Sequence, residues 1–353
     1  MSAAAREALW IRLRGAGLVQ GDPPAQGEAR SPWYVRVMLG FAGWVGAVFL
    51  FFFVGAAFTF VMRSGIAAVV VGVAACAAAA VIFRASRGDF AGQFGLAVSL
   101  AGQAILVYGI AELLGRPSLQ ITALVVAVQQ AVLFVLVPNF VHRVFTSWSA
   151  LAALQLALAD SGFSAFAPAL ATALFVAIWL VEFDRVERVE LLRPGGYGIA
   201  LGAVQASVMH GALWYGLLLR HPQLGTQSIA WAGAAASAAV LLWAVVALLR
   251  REGVALLSGA GKLAIAATAI LAVASLKAPG LAPALAILVV GYANGNRVLA
   301  GLGIAALLAY LSHYYYSLEM SLLEKSAVLA VTGIVLLAAR LALQRLPGEP
   351  RNA

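Results

Sequence analysis

The sequence predicts an all-α protein, a polytopic bundle of about twelve transmembrane helices with both termini cytoplasmic. Three observations predict it. First, 63% of the 353 residues are hydrophobic and only 10% are charged, with a mean hydropathy of +0.96. A soluble domain carries about 25% charged residues, so this composition excludes a soluble globule, a disordered tail, a fibre and a disulfide scaffold. Second, the apolar residues fall in runs near the roughly 20 residues that a helix needs to cross a bilayer core of about 30 Å. Third, the basic residues change side loop by loop.

Twelve spans would use about 240 residues, which leaves short loops and no soluble domain between helices. The chain divides into an N-terminal segment over 1–36, a transmembrane domain over 37–343 and a tail over 344–353. In the first segment Leu9, Trp10 and Leu13 can share a helical face, with Arg6, Arg12 and Arg14 on the other side. That pattern predicts a short amphipathic helix on the inner membrane surface. Gln20–Pro32, with Asp22-Pro23-Pro24 and Ser31-Pro32, reads as a linker. The first apolar run starts too late, and is too long, for a cleavable signal peptide.

The predicted spans are Val37–Met62, Gly65–Phe83, Phe90–Leu114, Ser118–Val137, Val144–Ala159 and Phe163–Val181. They continue with Gly196–Leu219, Ser228–Leu249, Val254–Leu276, Gly280–Ala293, Val298–Tyr316 and Leu322–Leu343. Val144–Ala159 is short, and Gly280–Ala293 is shorter and carries Pro283; both are open to a re-entrant or partly buried reading. With the N-terminus inside, about 17 basic residues fall on the inner side and about five on the outer side. The outer five are Arg63, Arg116, Arg220, Lys277 and Lys325. This bias supports an even span count, and ten spans without the Val144–Val181 pair preserve it. Trp33 and Tyr34 mark the inner interface, and His313-Tyr314-Tyr315-Tyr316 the outer one. Glu182–Arg193 reads as the largest internal cytoplasmic loop and invites a six-plus-six repeat, without a residue-level match between the halves.

The net charge of +9 arises from basic residues scattered singly in short loops, which suits a topology signal rather than nucleic acid. The single cysteine, Cys76, allows no internal disulfide and no thiolate metal site. Ser258-Gly259-Ala260-Gly261-Lys262 resembles the end of a phosphate-binding loop, but Leu256 stands where the earlier glycine is required. His142, His210, His221 and His313 are far apart, with no acid at ligand spacing. No catalytic motif, metal set or cofactor is expected.

Polar residues inside spans are therefore the candidates, because an ionisable group in hydrocarbon costs a few kcal/mol and usually faces the bundle interior. Gln129, Gln130, Gln205, His210 and Lys262 form the candidate intramembrane site. Lys262 lies about two turns into its predicted span, which leaves both a functional reading and a snorkelling lysine. Adjacent glutamines point about 100° apart, so at least one of Gln129 and Gln130 should meet a partner helix or polar cavity. Gln93 and Gln103 each follow a glycine and read as interhelical hydrogen-bonding residues beside close packing. Glu112 and Arg116 fit a helix-end ion pair. Tyr292, Asn294, Asn296 and Arg297 form a cytoplasmic turn that could also act as a polar mouth. On the outer side Tyr314, Tyr315, Tyr316, Glu319, Glu324 and Lys325 read as an aromatic belt with a charged hairpin, or as a patch for a partner.

Several short patterns carry a family resemblance. Ser31-Pro32-Trp33-Tyr34 leads into Gly40-Phe41-Ala42-Gly43-Trp44, and Gly92-Gln93 and Gly102-Gln103 share the third span. Gly295-Asn296-Arg297, Tyr314-Tyr315-Tyr316-Ser317-Leu318, Glu324-Lys325-Ser326, Gly333 and Arg340 follow. Together, from about Trp10 to Arg340, the chain resembles a bacterial multi-pass inner-membrane family catalogued as a domain of unknown function. Its genes are associated with those for GDYXXLXY-domain membrane proteins. The resemblance implies an inner-membrane location and a membrane-protein partner, and it brings no activity, cofactor or catalytic residue. The sequence thus favours a non-enzymatic membrane component acting with a partner protein, over a small-solute transporter with a polar site between helices.

Overall fold

The computed structural model describes residues 3–17, 19–21, single positions between 35 and 61, 63–85, 89–182, 186–210, 226–278 and 280–317. Eleven continuous α-helices lie among them: α1 Ala3–Gly15, α2 Gly65–Ala85, α3 Asp89–Leu113, α4 Leu119–Leu136, α5 Phe140–Ala157 and α6 Ala167–Val181, then α7 Val189–His210, α8 Thr226–Arg251, α9 Gly259–Lys277, α10 Leu281–Ala293 and α11 Arg297–Ser317. Short 3-10 turns at Gly162–Phe166 and Val186–Arg188 lead into α6 and α7. No strand occurs among the described residues. Six helical segments are long and apolar enough to cross a membrane: Gly65–Ala85, Phe90–Leu113, Leu119–Leu136, Phe163–Val181, Ile229–Arg251 and Gly259–Leu276. The predicted span Leu322–Leu343 lies outside the described residues.

Local chemistry sets the helix starts. Ser118 caps α4 by accepting from Ile121 N, and Ser258 caps α9 by accepting from Gly261 N at 3.1 Å. That cap explains the Ser-Gly-Ala-Gly-Lys run as a helix start. It also corrects the position of Lys262, which stands in the first turn of α9 and is exposed. The fifth predicted span starts earlier than expected. Asn139 accepts from His142 N at 3.0 Å, so α5 begins at Phe140 and takes in His142 and Arg143. The Glu182–Arg193 loop is shorter than expected, because α7 begins at Val189 and continues through Pro194. Proline donates no N–H, which frees the carbonyl four residues back, that of Glu190. Arg143 Nη1 donates to that carbonyl at 3.0 Å.

Helices α2 and α3 form a closely packed hairpin. A Cβ on Gly72 would stand 2.7 Å from Leu106 N, so glycine sets this approach. The main core lies elsewhere, where Phe175, Trp179, Leu241, Ile287, Val290 and Leu299 bring together α6, α8, α10 and α11. Helix α10 has 13 residues, about 20 Å of rise, too short for a core of about 30 Å. Seven of its residues are nevertheless buried, including Ala282, Ile287 and Val290. A short helix at membrane depth is stable where protein, rather than lipid, surrounds it.

Candidate polar site between helices α3, α4 and α5

Where the α2–α3 hairpin meets the rest of the bundle, five polar side chains are buried together: Ser99, Gln103, Gln129, Gln130 and His142. Ser99 and Gln103 are four residues apart on α3 and so share a face. Gln103 Nε2 donates to Ser99 Oγ at 2.9 Å and lies 3.3 Å from His142 Nε2. Ser99 Oγ is 2.8 Å from the same ring nitrogen. From α4, Gln130 Nε2 donates to Gln103 Oε1 at 2.7 Å, and Gln129 Nε2 to the Gln103 carbonyl at 3.4 Å. Both adjacent glutamines reach α3 because one uses the side chain and the other the backbone of the same residue. Phe83 stands edge-on to the His142 ring, with centroids 5.7 Å apart, and closes the α2 side.

The bonds share one direction. An amide nitrogen only donates, so Ser99 Oγ and His142 Nε2 both accept from Gln103. With the amides so oriented, His142 Nε2 is the acceptor and the ring proton belongs on Nδ1. Turning both amides over would reverse the chain and move that proton to Nε2. Within the cluster, three buried polar atoms have no hydrogen-bond partner among the described residues: Gln129 Oε1, Gln130 Oε1 and His142 Nδ1. Such atoms cost about 1–3 kcal/mol each when left unsatisfied. The cluster therefore offers two acceptors at one end and one ring nitrogen at the other.

The expected intramembrane site is distributed differently. Gln129 and Gln130 belong to this cluster. Gln205 is on α7, where it accepts from Trp148 Nε1 of α5. His210 ends α7, and its side chain lies outside the described residues. Lys262 is remote from the cluster in sequence and exposed at the start of α9. Sequence reasoning missed Ser99 and His142. Asn139, three residues before His142, was the available signal, since it marks a helix start that places the histidine inside. Glu112 and Arg116 form the expected pair, Nε to Oε1 at 3.0 Å.

The Tyr292–Arg297 turn is tied to neighbouring helices through its asparagines. Asn294 Nδ2 donates to the Trp179 carbonyl at 3.3 Å, and Asn294 Oδ1 accepts from Arg251 at 2.8 Å. Asn296 Nδ2 donates to Tyr197 Oη at 2.8 Å, and its Oδ1 accepts from Val298 N and Leu299 N at the start of α11. Tyr292 and Arg297 are exposed. Tyr314, Tyr315 and Tyr316 end α11, with side chains outside the described residues, where Glu319, Glu324 and Lys325 also lie.

A family model described as a domain of unknown function, DUF4401, matches residues 32–346. The chain belongs to the DUF4401 family. No curated protein and no solved structure matches it.

In this DUF4401 chain, arginines fasten the helix ends on one side of the bundle. Arg84 Nη2 donates to the Leu136 carbonyl at 3.2 Å, and Arg143 Nε to the Phe134 carbonyl at 3.2 Å. Both carbonyls belong to the last turn of α4, where a cation also complements the helix dipole. Glu182, at the end of α6, lies 3.8 Å from Arg193 Nε. Burial pushes the Glu182 carboxyl above its usual range, while Arg193 and Arg251 pull the other way. Among the described residues, no group of three His, Cys, Asp or Glu side chains could hold a metal ion.

Proposed function

We propose that this multi-pass membrane protein takes a small, uncharged, hydrogen-bonding solute into the polar seam between α3, α4 and α5, as a transporter does at its substrate site. The observation that carries the reading is the set of partnerless buried atoms, Gln129 Oε1, Gln130 Oε1 and His142 Nδ1. A guest with both a donor and an acceptor would complete them. The position also suits the task. Gln130 lies six residues before the end of α4, about 9 Å along the axis, and the seam joins a separate hairpin to the larger bundle. Sites at the interface of two structural units are usual in transporters.

The wider reading is a chain of about twelve spans with both termini cytoplasmic, in a bacterial inner membrane. The arginine-fastened end supports it, since arginine and lysine collect on the inner side. The partner-component reading rests on Tyr314–Lys325 and on the association with GDYXXLXY-type proteins. The buried cluster favours the solute reading over it.

The test is swelling of proteoliposomes in glycerol and, separately, in urea. Wild-type vesicles should swell faster than empty ones, with Gln103→Leu and Gln130→Leu returning the rate to the empty-vesicle value. Wild-type rates equal to those of empty vesicles for both solutes would remove the proposal.

A further inference from the structure

A cavity distinct from the polar seam opens between α4, α5, α6 and α7. Its volume is about 530 Å³, and its walls include Ala127, Ala131, Phe134, Leu151, Ile178 and Gly195. That volume falls within the roughly 300–1,000 Å³ typical of ligand pockets. Along α4 it extends from Ala127 to Val135, about 12 Å of helix rise. Ser147 is the polar side chain in its wall, and its hydroxyl donates to the Val144 carbonyl at 3.1 Å. A polar guest would thus find little to bond, whereas an aliphatic chain would lose nothing.

The end of the groove is chemically different. Arg143 donates to the carbonyls of Phe134 and Glu190, next to the lining residues Phe134 and Leu191. Arg188, exposed, lies three residues before Leu191. Arg84, also exposed, is fixed to the Leu136 carbonyl, beside the lining residue Val135. An apolar slot thus begins beside helix ends that carry Arg84, Arg143 and Arg188.

We propose that this groove binds one acyl chain of an anionic phospholipid, whose phosphate sits at the Arg84–Arg143–Arg188 rim. Charge complementarity selects the anionic headgroup. The apolar walls select the chain, and the one-sided rim fixes the leaflet. A free phosphate would have no use for the groove, and a zwitterionic lipid offsets its phosphate with a cation of its own.

The experiment uses the full chain in phosphatidylcholine bilayers, with phosphatidylglycerol or phosphatidylcholine spin-labelled near the chain end. Electron paramagnetic resonance reads the motionally restricted fraction of each. Labelled phosphatidylglycerol should be restricted in preference to labelled phosphatidylcholine. Arg188→Gln should reduce that preference about fivefold, the factor expected for one basic residue near the surface. Ala131→Leu with Ala150→Leu should abolish the excess restricted component while thermal melting shows the protein folded. Equal restriction of the two lipids by wild type would overturn the proposal, as when a second copy or another part of the chain fills the groove. So would a preference that survives both variants. Glycerol and urea swelling should persist in the groove variants, which keeps this site separate from the polar seam.

Discussion

Gln130 Nε2 donates to Gln103 Oε1 at 2.7 Å, joining the middle of α3 to α4 through two buried side chains. Gln103 also serves Ser99 and His142, so its loss strands more groups than the loss of Gln130. Gln103→Leu should destabilise the protein by about 1–3 kcal/mol. A double-mutant cycle with Gln130→Leu should give a coupling between about 0.6 kcal/mol, the average for hydrogen bonds between membrane helices, and their maximum of about 1.7 kcal/mol. Reversible unfolding in mixed micelles measures it, and purely additive losses would mean that the bond contributes nothing.

The α2–α3 hairpin makes its own test. A Cβ on Gly72 would meet Leu106 N at 2.7 Å, whereas one on Gly92 would meet nothing within 4 Å. Gly72→Ala should cost about 1–3 kcal/mol through forced separation of the backbones. Gly92→Ala should be neutral or slightly stabilising, because alanine favours a helix by about 0.5–1 kcal/mol over glycine. Melting temperatures of the two variants decide it, and similar values would argue against close packing of this hairpin.

Glu182 predicts a pH dependence. Its folded-state pKa is raised, chiefly by burial, so the folded state holds the proton more tightly than the unfolded one. Its contribution to stability is therefore fully present below the ordinary carboxylate pKa and declines as pH rises through the raised value. Glu182→Gln removes the penalty of burying a charge. The variant should melt above wild type at neutral pH, with the gap closing near pH 4. A variant less stable than wild type at neutral pH would show that the Arg193 pair outweighs the burial.

Orientation is open to direct measurement. Arg188 and Arg116 lie at opposite ends of the helices, and Cys76 is buried. Arg188→Cys should react with a membrane-impermeant maleimide only from the cytoplasmic side, and Arg116→Cys only from the outside. Labelling of both from one side would contradict the alternating topology.

The sequence by itself determined the fold class, most of the apolar helices and several of their ends. Composition and run length are properties of one chain segment in one solvent, so they need no partner to be read. Ser118 acts on its own helix within three residues. Even the Glu112–Arg116 pair is local. The tertiary structure decided what a single helix cannot specify. It placed Gln103 opposite Gln130 and brought His142 to Gln103, both directly and through Ser99. It sent Gln205 to Trp148 on a different helix pair, left Lys262 exposed, and enclosed the short α10 in protein. Helical periodicity fixes the angle at which a side chain leaves its own axis. The depth at which two helices meet depends on close approaches such as Gly72 against Leu106, and these set which polar groups share the buried seam.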